Sequence, residues 1–119
     1  MGERIAVNVD DLLSGRDLQS TARSHSEPLF NRSTAEKLLD LCEHIGVGVL
    51  GIEGFILSDQ GLIPQMDFIA DFSRIYSSPD FEAESVRLSR KFLSLVTNEP
   101  HLVFEFVLAA LEPPKHIRK

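Results

Sequence analysis

Residues 47–57 read V-G-V-L-G-I-E-G-F-I-L, and this stretch constrains the fold more than any other. Its β-branched residues are apolar on both alternating phases, and three glycines in eleven positions make a helix untenable. A buried central strand is the reading that remains. Gly48, Gly51 and Gly54 would each weaken such a strand, so they mark bulges or places where another element approaches closely. A strand this apolar needs cover, and the flanking sequence offers it as helices.

Ser33-Thr34-Ala35-Glu36 has the form of a capping box, with Ala35, Leu38, Leu39, Cys42 and Ile45 following at helical spacing. Gly46 then provides a left-handed stop. Ser78-Pro79-Asp80 repeats the start grammar, and Val86, Leu88, Phe92, Leu93, Leu95 and Val96 give a second buried helical face. Between these lies residues 64–76. There Phe68, Ile69, Phe72, Ile75 and Tyr76 recur at helical spacing behind Pro64, so a helix is expected, with a hairpin strand as the competitor because Ser58-Asp59-Gln60-Gly61 is a turn. Ile5, Val7 and Val9 alternate as a short strand before Asp10-Asp11. Residues 101–108 form another strand, with Leu102, Phe104, Phe106 and Leu108 on one face and His101, Val103, Glu105 and Val107 on a half-polar one.

These elements predict an α+β fold over residues 1–112, a single small domain of about three helices on a three- or four-stranded sheet. Its length of 119 residues and 43% apolar content suit one core. Residues 14–31 carry Gly15 and Pro28 without a sustained period and read as a long loop, clamped by Leu29 and Phe30. Residues 113–119 read as a basic tail after Pro113-Pro114. The N-terminus has neither the basic start nor the apolar run of a secretory signal, and no stretch approaches the roughly 20 apolar residues of a membrane span. A soluble cytoplasmic protein with Cys42 reduced is the expectation.

The net charge of −6 argues against binding the nucleic-acid backbone. Its distribution is uneven. Residues 33–72 hold one basic side chain, Lys37, against Glu36, Asp40, Glu43, Glu53, Asp59, Asp67 and Asp71, whereas the segments on either side are close to neutral. Such a concentration either attracts a basic partner or only solvates the outer faces of the fold.

Within it, Glu53 stands out, because a carboxylate inside an apolar strand is costly unless it is paired or lies at an open position. Its neighbouring glycines would let a ligand approach, and Arg74, Arg87 or Arg90 would serve as an internal partner instead. Asp67 and Asp71, four apart, would stack as like charges on a helix. Asp40, Glu43 and His44 could converge on the first helix, yet the second histidine of a zinc motif is missing. No cofactor or metal is expected. One cysteine permits no internal disulfide, and Cys42 lies on the buried stripe. Gly46, Gly48 and Gly51 fit the dinucleotide pattern G-x-G-x-x-G, but a helix precedes them and a strand runs through them, the reverse of the context that motif requires.

The leading expectation is a small acidic, non-enzymatic protein-binding module, such as an immunity-type inhibitor of a basic partner. Its binding residues would be Glu53, Asp67, Asp71, Glu43 and Asp40. One alternative is a small enzyme or ligand- or metal-binding protein using Glu53 with Asp67 and Asp71. Another is a homodimeric subunit paired through the strand at 101–108. Neither nucleic acid nor membrane is an expected partner.

Overall fold

A computed structural model describes residues 2–24 and 27–112; the basic tail at 113–119 lies outside the described residues. The order of elements is β1 (Arg4–Val7), α1 (Val9–Leu13), β2 (Ala22–Ser24), β3 (Glu27–Leu29), α2 (Arg32–Ile45), β4 (Gly48–Ser58), β5 (Gly61–Asp71), α3 (Phe81–Leu95) and β6 (Leu102–Leu111). Four strands form an antiparallel sheet in the order β1-β6-β4-β5, and β2 with β3 makes a separate two-stranded ribbon. The fold is α+β, as the sequence predicts. No helix among the described residues is long and apolar enough to cross a membrane.

One face of the sheet carries the core. Leu102, Phe104, Phe106 and Leu108 of β6 meet Ala35, Leu38, Leu39 and Cys42 of α2, with Val86 and Leu93 of α3 and Val49 and Ile52 of β4 in the same cluster. Helical and strand periods, read separately, thus converge on one layer. α2 ends at Gly46 in the left-handed conformation, φ 82°. Its start differs from expectation. Asn31 is the cap, its side-chain oxygen accepting from the Thr34 amide at 2.9 Å, and Ser33 lies inside the first turn. Arg32 explains the shift, because its guanidinium donates to the carbonyls of Leu93 and Val96 at the end of α3 and so draws that residue into the helix.

The helix expected at 64–76 is instead strand β5, followed by a short 3₁₀ turn at Ser73–Ile75. The hairpin wins because Ser58 Oγ donates to the Gly61 carbonyl at 2.8 Å and Gly61 takes φ +113°, returning the chain along β4. Phe68, Ala70 and Phe72 then lie two apart and rest on the core, a strand period that the four-residue spacing of Phe68 and Phe72 had mimicked.

α3 likewise starts later than Ser78, with Asp80 as its flanking residue. Its Leu95 is 74% exposed rather than buried. Residues 14–31 are not one loop, for they contain β2 and β3. Phe30 continues from them into an isolated bridge, exchanging backbone hydrogen bonds with Phe104 at 2.9 and 2.7 Å.

β6 extends to Leu111 and is an interior strand. β4 runs along one side of it, and β1 with the Phe30 bridge occupies the other. On that second flank β1 pairs with residues 108–111, and Phe30 bridges to Phe104 within residues 101–107. The sheet's edges are β1 and β5.

Candidate binding face

With both long helices on one side, the opposite face of the sheet carries Gly51, Glu53, Phe55 and Leu57 from β4 and Val103, Glu105 and Val107 from β6. A bulge between Val49 and Gly51 sets this register, and it places Glu53 directly opposite Glu105. On the other flank Glu53 faces Ile69 of β5, Gly51 faces Asp71, and Leu57 faces Leu62. A second irregularity lies just beyond, where Gly54 alone answers residues 65–68 of β5. Phe68 crosses there so closely that a β-carbon on Gly54 would lie 2.8 Å from its own. The glycines of this strand thus do what the sequence suggests, admitting bulges and close neighbours.

Two depressions meet on this face at Glu105. One, of about 300 Å³, is lined by Gly51, Glu53, Ile69, Asp71 and Val107. The other, of about 590 Å³, lies under the ribbon, with Arg23, Ser24 and Glu27 as wall and Phe55, Leu57 and Leu62 as floor. Together they form a groove with apolar sides and carboxylates at its middle.

Burial pushes the Glu105 carboxyl above its ordinary range, and the charges of Glu27 and Glu53 push it further the same way. A carboxyl whose folded pKa is raised costs stability above that pKa and stops doing so as the pH falls through it. Glu105→Gln should therefore stabilise the fold at pH 7–8, by about 0.2–1 kcal/mol for relief of a like-charge cross-strand pair. The gain should vanish in acid, where wild-type Glu105 is itself protonated. Thermal unfolding across this range checks it, and a gain that persisted below pH 4 would contradict the charge origin.

The sequence-predicted carboxylates separate in space. Glu53 and Asp71 share the groove. Asp71 accepts from the Ser73 amide at 2.9 Å, and this bond first, then the Ser73 hydroxyl and the charge of Arg74, hold its carboxyl below the usual range. Asp67 sits in the irregular part of β5, exposed, outside the groove lining. Asp40 and Glu43 lie on α2, in the opposite layer, and both meet Arg90 of α3, at 2.9 and 2.6 Å. Arg87 pairs with Glu84, so of the three arginines considered as partners for Glu53, two are engaged elsewhere. Among the described residues Glu53 has no ion pair, and no group of three or more His, Cys, Asp and Glu side chains is placed to hold a metal ion. The Cys42 thiol is pushed up to about 12 by burial, which keeps it protonated and unreactive at neutral pH.

Glu105 and Glu27 were not among the predicted site residues. Glu105 carried a weak signal as the lone acid on the half-polar face of an apolar strand. Glu27 carried none, since only the tertiary position of the ribbon brings it to the sheet. The chain matches no protein-family model, and neither the curated proteins nor the solved structures contain a match to it.

Proposed function

We propose that this chain is a small, acidic, non-enzymatic module that binds a basic protein through the helix-free face of its sheet. One observation carries the reading. Glu53 and Glu105 stand directly opposite one another on a sheet face that no helix covers, flanked by Ile69 and Val107, which are 44% and 51% exposed. Like charges paired across strands destabilise the free protein, whereas a cation between them would relieve the repulsion and draw added strength from the partly dry surroundings. Exposed apolar side chains beside the carboxylate pair give a partner area to bury next to the charge it must match. An inhibitor of a cationic enzyme is one module of this kind.

The test is affinity capture from cell extract at about 50 and 200 mM salt, where screening separates charge-driven from apolar retention. Wild type and the isosteric variant Glu53→Gln/Glu105→Gln serve as baits. A lysine- and arginine-rich protein held by wild type, and lost on the variant and at the higher salt, is the expected result. Identical retention by both baits would overturn the proposal.

A further inference from the structure

Resting on that reading, we infer that the groove across Glu105 takes a lysine or arginine side chain of the partner protein, seated between Glu53 and Glu105 with apolar neighbours on either side. The carboxylates supply the charge complementarity, and the register fixes their separation as that of adjacent strands, roughly 5 Å between backbones. A single cationic head fits between two such groups and can hydrogen-bond to both. Among the described residues, three arginines are committed away from the groove. Arg4 pairs with Glu82, Arg87 with Glu84, and Arg90 with Asp40 and Glu43, while Arg23 stands in the ribbon wall and pairs with Asp10.

The apolar rim fits the same occupant. Lysine and arginine carry three- or four-carbon stems that lie along apolar surface while the charged head reaches its partner. Ile69 and Val107 border Glu53 and Glu105 on one side, and Phe55 with Leu57 and Leu62 borders them on the other. Along β4 the groove runs from Gly51 to Leu57, about 20 Å at the rise of a strand, so a short peptide spans it. A cation flanked by apolar residues is thus the chemistry this face selects, in preference to a run of cations alone.

Acetyl-Val-Arg-Val-Arg-Val-amide and its counterpart with neutral, isosteric citrulline in place of arginine are suitable probes, followed by amide chemical shifts of the full chain. The arginine peptide should perturb residues 51–55 and 103–107. Glu53→Gln/Glu105→Gln should weaken it about tenfold, the worth of one charge-assisted contact, and the citrulline peptide should produce no saturable change.

Unaltered thermal unfolding, or a modest gain, would show that the variant is folded. Perturbation centred on Asp40 and Glu43, equal binding of both peptides, or no binding up to about 10 mM would overturn the inference. If charge-dependent protein capture survives any of these results, the seat of the cation is wrong and the protein-binding reading stands. If capture fails as well, both fall.

Discussion

Arg4→Ala is expected to lower the unfolding free energy by about 3 kcal/mol at pH 7, more than its place on a four-residue edge strand would suggest. Arg4 is the tie between β1 and the start of α3. Its Nε donates to Glu82 at 2.6 Å and its Nη2 to the other Glu82 oxygen at 3.0 Å. Nη1 reaches the Tyr76 carbonyl at 2.7 Å, and Nη2 reaches that of Ser78 at 2.8 Å. The guanidinium also lies 5.0 Å from the Phe81 ring centre.

The Arg4 and Glu82 side chains are only 10% and 16% exposed, so truncating Arg4 leaves the Glu82 charge and two carbonyls short of partners in a place water reaches poorly. Arg4→Lys should recover less than half of the loss, because an ammonium cannot reproduce the two-pronged bond or spread over the ring. Arg4→Ala/Glu82→Ala should cost clearly less than the two single changes added together.

The pH dependence has a definite sign. Burial alone would raise the Glu82 carboxyl, but the hydrogen bond and charge of Arg4, with backbone donors, bring the net value below the ordinary range. The stability this pair contributes is therefore complete above the unfolded carboxylate value, near 4.3, and is lost as the pH falls through the depressed folded value. Urea unfolding should show the wild-type advantage over Arg4→Ala at pH 7 and its shrinkage below pH 4. An advantage unchanged in acid would mean that the ion pair is not its source.

That tie was invisible in the sequence, where Arg4 and Glu82 stand 78 positions apart. The elements that were legible are those in which a local period and a local stop agree. The α2 stripe from Ala35 to Cys42 closes on Gly46, and every second residue of β6 from Leu102 to Leu108 is buried. Residues 64–76 misled because Phe68 and Phe72 satisfy a four-residue repeat and a two-residue repeat equally well. The turn at Ser58–Gly61 and the vacant flank of β4 decided between them, and the second of these is a tertiary fact.

The site divided along the same line. Glu53 could be singled out because a carboxylate among apolar residues is costly wherever the strand lies. Its counterpart Glu105 required the register, which a bulge near Gly51 fixes and which no spacing along the chain encodes. The acidic concentration over residues 33–72 was real in composition yet split in space, since a helix and a strand adjacent in sequence end on opposite layers. Asp40 and Glu43 went to Arg90 while Glu53 remained open.

Gly48→Ala carries the second large expectation, a loss of about 3 kcal/mol, the upper end of what overfilling a well-packed site costs. A β-carbon there would sit 2.5 Å from Phe81 Cε2, 2.9 Å from Cδ2 and 3.0 Å from the backbone Cα of Glu82. Phe81 has no accessible surface, and its ring is held edge-on by Tyr76 at 5.2 Å between centres, so it has little room to turn aside. The first turn of α3 must move instead, and with it the Ser85 hydroxyl that accepts from the Val49 amide at 2.8 Å.

By contrast, Gly51→Ala meets only the Ala70 carbonyl at 3.2 Å, a contact a few tenths of an ångström of strand movement would relieve, so its cost should be much smaller. Phe81→Leu, which removes ring atoms from the place the new methyl needs, should partly rescue Gly48→Ala, leaving the double variant at least about 1 kcal/mol better than additivity. Phe81 also lies 5.0 Å from the Arg4 guanidinium, so Gly48→Ala and Arg4→Ala disturb the same contact and should together cost less than the sum of their separate losses. Denaturant midpoints of the singles and doubles measure both couplings. Strict additivity would mean that β1, β4 and the start of α3 do not meet at this residue.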